Sequence, residues 1–432
     1  MENKTISKLN GKEKTKKFTV AVLGCGSRGA CYMSHMKKTP DRFEIVALCD
    51  WNKKQLEKTH SLLGLENTVD FSDAEEFLSE KRADVLVIAT DDRYHVPQCV
   101  KAMELGYDIL IEKPLSDDRA ELKLLLETQQ KTGRKVVVCH ELRYGAGFKM
   151  CKELLEEGVV GELYAIDASE RVVYWHWAQA YVRGIGASLE KGHPAILAKC
   201  SHDLDLIQSY ANSECETVSS VGALRFFVPE NAPEGASDRC ITCKHIDTCT
   251  YSAKRIYVDA WHKNGEPSFT WPYNKVTLKN PTTEEGLWEG IREGVYGRCA
   301  FLCPVEKVDH QMVQMHFKNG VDASLAMVFS AAAGRRISFY GTHGEILMDE
   351  RDGCIKIMPY GKEEEKISLS SLVEGGNMHG GGDGALIREL YGILAGDVEC
   401  KTPLKESIES HLMGIASEES RLNGGVLVKV HK

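Results

Sequence analysis

The strongest constraint on this chain is a series of short, β-branched apolar runs separated by helical stretches. The runs are FTVAVLG (18–24), RFEIVALCD (42–50), ADVLVIAT (83–90), YDILIEKP (107–114) and KVVVCH (135–140). Between them lie stretches such as NKKQLEKTHSLLG and DRAELKLLLETQQKTG. Strands this continuously apolar are buried on both faces, and alternation with helices makes a parallel sheet covered on both sides. Right-handed crossovers then give a doubly wound sheet. At 432 residues the chain exceeds one ordinary core, so a second domain is expected.

The first run opens into GCGSRG, with Gly24, Gly26 and Gly29 in G-x-G-x-x-G spacing. The first glycine permits a tight turn, the second lets backbone approach a pyrophosphate, and the third allows close helix–strand packing. A helix starting near Ser27 aims its free N–H groups and positive dipole end at that phosphate. Asp50, at the end of the next strand, is placed to accept hydrogen bonds from ribose hydroxyls and to repel a 2′-phosphate. NAD is therefore favoured over NADP, although Lys53 and Lys54 keep NADP open. Ser27, Arg28 and Trp51 are further candidate cofactor contacts.

Two other stretches concentrate polar groups. IEKP (111–114) puts Glu112 and Lys113 at the carboxyl end of a buried strand, where ligands of such sheets collect. A strand-end ion pair would use the same residues. ILAKCSHDLDL (196–206), wound as a helix, places Leu197, Cys200, Leu204 and Ile207 on one stripe. Lys199, His202 and Asp203 fall on another face, with Asp205 pointing elsewhere. That face is either offered to a cleft or simply solvated.

The glycine fingerprint followed by Glu-Lys-Pro resembles the Gfo/Idh/MocA oxidoreductase family, and the likeness runs from residue 18 almost to the end. It includes TDDRYH (90–95), CHELRY (139–144), ERVVYWHWAQAYVRG (170–184), AKCSHD, VDHQMV (308–313) and HGGGD (379–383). It is closest to members acting on sugars and glycosides. The resemblance implies a Rossmann domain at 18–143 after a flexible tail at 1–17. A domain for substrate and oligomerisation follows at 144–432, α+β with an open, mostly antiparallel sheet. It implies a dimer or tetramer, Thr90, Asp92 and His95 beside the nicotinamide ribose, and Lys113 near the nicotinamide and the substrate hydroxyl. Many members carry an aspartate four residues before the helix histidine; here that position is Ala198. His202 matches the family histidine and is read as the base that takes the alcohol proton, an imidazole being suited to that task near neutrality. Lys113 and Lys199 would stabilise the developing alkoxide, or Lys113 would itself be the base. Asp203 would orient the imidazole or cap a neighbouring strand. Arg143, Tyr144, Trp175, His176 and Arg183 are candidate substrate contacts, with one of Trp175 and Trp177 facing the cleft and the other the core.

The implied reaction is hydride transfer between a secondary hydroxyl of a sugar, polyol or glycoside, C3 of a pyranoside in the first instance, and NAD. The alternative is an NAD-dependent glycosidase working by transient oxidation and elimination. A cofactor-binding regulator on the same fold is the third reading.

An insertion at about 229–305 contains Cys240, Cys243 and Cys249 in CITCKHIDTC, and Cys299 and Cys303 in CAFLC. A Cys-x-x-Cys pair with further thiols suggests structural Zn²⁺, one of Cys299 and Cys303 being the fourth ligand. An iron–sulfur cluster or plain reduced thiols are the alternatives. Fifteen cysteines without an export signal suit a reducing cytoplasm. The net charge of −9 carries no nucleic-acid footprint, and no apolar run has a membrane span's length.

Overall fold

A computed structural model describes residues 16–190, 192–268, 270–277, 279–372 and 379–432. The expected tail at 1–17 lies outside the described residues except for Lys16 and Lys17. The strands of the first half are β1 (Phe18–Leu23), β2 (Phe43–Cys49), β3 (Val69–Phe71), β4 (Val85–Ile88), β5 (Asp108–Ile111) and β6 (Val136–Val138). They form one parallel sheet in the order β3-β2-β1-β4-β5-β6. The strand order reverses between β1 and β4, so a crevice opens at their carboxyl ends. Alternation along β1 serves both faces. Val20 and Val22 join Tyr32 and Met33 of the Ser27–Met36 helix, while Ala21 and Leu23 join Val96 and Cys99 of the His95–Glu104 helix.

The second sheet is built from β7 (Leu163–Val173), β8 (Cys215–Ala223), β9 (His310–Phe317), β10 (Asp322–Ser330), β11 (Gly334–Gly341), β12 (Gly344–Asp349), β13 (Cys354–Pro359), β14 (Glu365–Ser368) and β15 (Val428–Lys429). Its order is β14-β13-β12-β11-β7-β10-β9-β8-β15. Only the β7–β10 pair is parallel, and every other pairing in this sheet is antiparallel. The inner face shares a core with the Ala146–Glu156 and Ala195–Ala211 helices and with Met413 and Ala416 of the Leu404–Leu422 helix.

Late in the sequence the chain returns to the first sheet. Leu386, Ile387, Leu390 and Ile393 of the Gly382–Ala395 helix share a core with Phe18 and Val20. Leu404 and Ile408 fill the opposite face. Residues placed in the second domain by sequence order thus complete the first one. Apolar periodicity shows that a helix is covered but not by which sheet.

Candidate functional site

The glycine turn closes as its spacing requires. Gly24 has φ +93°, and a Cβ there would strike the Ala89 carbonyl; a Cβ on Gly29 would strike the carbonyl of Gly24. In front of Gly26 the space is open, since a Cβ there would meet nothing within 4 Å. No side chain caps the helix that begins at Ser27, so its first N–H groups remain for an anion. Asp50 braces the turn. Its carboxylate accepts from the backbone N–H of Cys25 at 2.9 Å and of Asn52 at 2.9 Å. Trp51 is 82% exposed beside it, and Lys53 and Lys54 are exposed. These residues fit a dinucleotide: an open phosphate cradle, a carboxylate at the strand edge and an exposed ring next to it.

Arg28 departs from its expected role. Its guanidinium binds Glu112 at 2.6 Å, Asp383 at 2.6 Å, the Tyr32 hydroxyl at 2.6 Å, and Glu141. Glu112 departs with it, because its carboxylate also accepts from Tyr32 and from the backbone N–H of Lys113. Burial pushes Glu112 up, but Arg28 and Lys113 outweigh it and hold the carboxyl below its ordinary range. Glu112, Cys139 and Glu141 form the one cluster of potential metal ligands within 4.8 Å of one another among the described residues. The Arg28 guanidinium already supplies positive charge to both of its carboxylates. His95 is likewise a clamp rather than a cofactor contact: Nδ1 lies 2.7 Å from the Pro114 carbonyl and Nε2 3.1 Å from that of Thr90. The Thr90 hydroxyl donates to Gln98 at 2.7 Å. Asp92 is half-buried and acts electrostatically on buried Lys307, whose ammonium is pushed down to about 8, chiefly by burial, against the pull of Asp92.

The two domains meet where Lys113 ends its strand. Its Nζ donates to the Ala198 carbonyl at 3.2 Å. His202 follows one helical turn later, with Nε2 3.5 Å from Glu141 Oε2. The other oxygen of Glu141 is held by Arg28 and Tyr32. The histidine therefore has a carboxylate neighbour, from the end of the first domain rather than from position 198.

Lys199 and Asp203 belong to a separate buried chain of charges. Lys199 lies 2.9 Å from Glu170 Oε1, Arg335 lies 2.8 Å from Glu170 Oε2, and Arg335 lies 2.8 Å from Asp203 Oδ1. Glu170 and Arg335 stand opposite each other on β7 and β11. Burial raises Glu170, but Arg335 and Lys199 bring it down to about 2; burial wins at Asp203, which is raised. Asp203 thus pairs with Arg335 instead of orienting the imidazole. Lys199 remains close to the cleft: after burial, it is the largest influence pushing His176 down to about 3.

An aromatic wall stands over these groups. Trp175 and His176 lie 5.1 Å and 4.7 Å from Trp271, measured between ring centroids. Trp177 is fully buried against Tyr181. Trp175 is only partly buried and Trp177 wholly so, although this segment is helical (Tyr174–Trp177) and not the expected strand. Two helical steps turn a side chain by about 200°, so the two rings point apart.

Three expected substrate contacts are corrected. Arg143 is bound by Asp205 at 2.7 Å and Glu406 at 3.0 Å, and Tyr144 is buried with its hydroxyl 3.1 Å from Thr402. Arg183 lies among the cysteines of the insertion, donating to the carbonyls of Arg298 and Tyr251. Glu141, Glu170, Trp271, Lys307 and Arg335 were not among the sequence candidates. Glu141 lies inside CHELRY, Glu170 opens ERVVYWHWAQAYVRG and Lys307 stands just before VDHQMV, so those three had a signal; Trp271 and Arg335 are set only by loop folding and strand register.

A Rossmann sheet with its glycine turn, joined through a strand-end lysine to a histidine helix on a second sheet, defines a dinucleotide-dependent oxidoreductase. The chain belongs to the GFO/IDH/MocA oxidoreductase family: the model for its NAD-binding Rossmann fold matches residues 18–140, and the model for its C-terminal α/β domain matches residues 152–373. It is 25% identical over 397 residues to the putative oxidoreductase YteT of Bacillus subtilis (strain 168), covering 86% of this chain and 88% of that one. It is 26% identical over 211 residues to glycosyl hydrolase family 109 protein 2 of Akkermansia muciniphila, covering 46% of this chain and 43% of that protein. Levoglucosan dehydrogenase, solved in complex with NADH and levoglucosan, shares the fold with a TM-score of 0.70 at 15% identity, over 96% of this chain and 100% of that one.

Proposed function

We propose that the protein is an NAD-dependent dehydrogenase that oxidises a secondary ring hydroxyl of a sugar, polyol or glycoside, C3 of a pyranoside in the first instance. The observation that carries this reading is the meeting of Lys113 with the first turn of the helix that presents His202, itself 3.5 Å from Glu141. Bound NAD supplies a hydride acceptor at the crevice between β1 and β4. Lys113 donates a hydrogen bond to the alcohol oxygen and stabilises its developing negative charge. The His202 imidazole takes the hydroxyl proton as the C–H bond breaks, and Glu141 stabilises the imidazolium that results. A ketone forms: the hydroxyl proton goes to the histidine, and the carbinol hydrogen leaves with the two electrons of its C–H bond as hydride. Trp175 and Trp271 offer flat apolar faces to the C–H face of a ring, and neutral His176 offers a hydrogen bond to a neighbouring hydroxyl.

A redox glycosidase is the second reading, favoured by the likeness to the family 109 glycosyl hydrolase protein. There the ketone acidifies the adjacent C–H, loss of that proton expels the aglycone, water adds at the carbon the aglycone left, and the hydride returns to the carbonyl carbon. We also read the outer face of the second sheet, where Tyr164, Val221 and Met312 stay exposed, as the surface that pairs in a homo-oligomer, and the cytoplasm as the compartment.

Incubation with NAD and a panel of inositols and glycosides tests these readings. Stoichiometric NADH with a ketone two mass units lighter supports the dehydrogenase; released aglycone without net NADH supports the glycosidase. Reaction only with aliphatic hydroxy acids or amines overturns both.

A further inference from the structure

We propose that Cys240, Cys243, Cys249 and Cys299 hold one thiophilic metal centre, Zn²⁺ or an iron–sulfur cluster, with the buried Arg183 guanidinium as its charge partner and Cys303 excluded. The four cysteines line a single cavity of about 20 Å³ together with Arg183. They come from segments far apart in sequence, held side by side by an antiparallel bridge between Arg239 and Arg298 and by the Cys299 N–H donating to the Asp238 carbonyl at 2.7 Å. Cys303 does not line the cavity; its thiol is turned to the Cys299 carbonyl at 3.2 Å.

Arg183 is the second, independent observation. It is 4% exposed, and its polar partners among the described residues are two backbone carbonyls, of Arg298 and Tyr251, and the Cys240 sulfur, with no carboxylate among them. Its Nη1 has no hydrogen-bond partner, while Nη2 lies 3.7 Å from Cys240 Sγ. A buried cation without an anion is costly, and so are buried thiolates without a cation. Cys240 Sγ also accepts from the Ala253 N–H at 3.4 Å and lies 3.8 Å from the Arg298 carbonyl. A metal centre resolves both costs: four thiolates outweigh a dication, and Arg183 offsets part of the excess. No three of these sulfurs fall within 4.8 Å of one another, wider than the roughly 3.8 Å edge of a zinc tetrathiolate. Zinc therefore requires the thiols to swing inward, whereas an iron–sulfur cluster accepts a wider cage.

The centre would also set the substrate wall. Arg183 ends the Ala178–Arg183 segment that follows the Tyr174–Trp177 turn carrying Trp175 and His176, and Trp271 reaches that wall from the insertion that holds the cysteines. This limb rests on the proposed substrate cleft; metal content does not, so the two fail separately.

The test is elemental and sulfide analysis of full-length protein purified without oxygen, for wild type and the Cys243→Ser, Cys299→Ser and Cys303→Ser variants, with NADH binding as the check on the Rossmann domain. Wild type should carry near one zinc per chain, or iron with acid-labile sulfide and visible absorption. Cys243→Ser and Cys299→Ser should lose the metal and Cys303→Ser keep it, with NADH affinity unchanged in all three. Arg183→Gln should release metal to a chelator about 10–100-fold more readily. If a variant fails to fold, thiol titration of wild type serves instead: four thiols should become reactive as the metal is released. Metal-free wild type, or loss on Cys303→Ser with retention on Cys299→Ser, overturns the site. Metal loss with unchanged KM overturns only the link to the wall.

Discussion

Lys113 Nζ donates to the carbonyl oxygen of Ala198 at 3.2 Å, one helical turn ahead of His202. The bond joins the strand end of the nucleotide domain to the helix of the second domain, at the position where the family resemblance leads one to expect an aspartate. A main-chain carbonyl receives the lysine here, and Glu141 supplies the carboxylate beside the histidine.

Lys113→Ala and His202→Ala should each keep NADH affinity within a small factor while losing about 10²–10⁴ in hydride transfer. Stopped-flow NADH absorbance reads the second quantity and a fluorescence titration the first. Near-normal turnover in either variant would remove that residue from the chemistry.

Glu141→Gln should leave Lys113 in place but weaken the stabilisation of His202 as an imidazolium. The expected sign is a lower pKa on the acidic limb of kcat/KM, so that the base becomes active at lower pH while its maximal rate falls. A pH profile identical to wild type would reduce Glu141 to part of the Arg28 network.

Breaking the buried chain through Arg335 should be a stability effect. Arg335→Ala leaves Glu170 and Asp203 buried without their shared cation, a loss of about 3–5 kcal/mol. Glu170 stands at about 2 against an ordinary 4.5. Its ionised form therefore contributes stability that is complete above about pH 4.5 and lost as pH falls towards 2. Asp203, raised by burial, contributes with the opposite sign. Denaturant titrations across that range should show a steeper acid loss for wild type than for Glu170→Gln; parallel curves would contradict the assignment.

The parallel sheet and the cradle were legible because both rest on local pattern: apolar runs, a glycine spacing, a strand-end Lys-Pro. The helix that carries His202 was legible for the same reason. What failed was the fate of long side chains. Arg28, Glu112 and His95 sit beside the expected cofactor region, yet each is consumed by partners from other elements. Arg143 and Arg183 were expected at the substrate, but their anions or acceptors arrive from residues 205, 298 and 406. Glu170 and Arg335 face each other only through the register of β7 and β11. Such pairings are tertiary facts that no window of sequence contains.

Asp50 should make NAD the preferred cofactor, since a carboxylate held by two backbone N–H groups at the strand edge repels a 2′-phosphate. Titration of both cofactors at one salt concentration should show weaker NADP binding. Asp50→Ala should narrow the gap and loosen the glycine turn. Equal affinities in wild type would point to Lys53 or Lys54 as a phosphate partner.

Trp271→Ala should raise KM for the sugar and leave NADH affinity unchanged, because its ring packs on Trp175 and His176 and not on the glycine turn. A changed NADH affinity with constant KM would move the wall out of the substrate cleft.

Isotope transfer tests the central claim most directly. A reactive pyranoside or cyclitol deuterated at its ring carbinol carbons is incubated with NAD, and the reduced cofactor is weighed during a single turnover. Reduced cofactor one mass unit heavier in wild type, with none formed by His202→Ala, is the expected result. Deuterium that is lost to solvent or retained in the product, without ever reaching the cofactor, would contradict hydride transfer from a ring carbinol at this site.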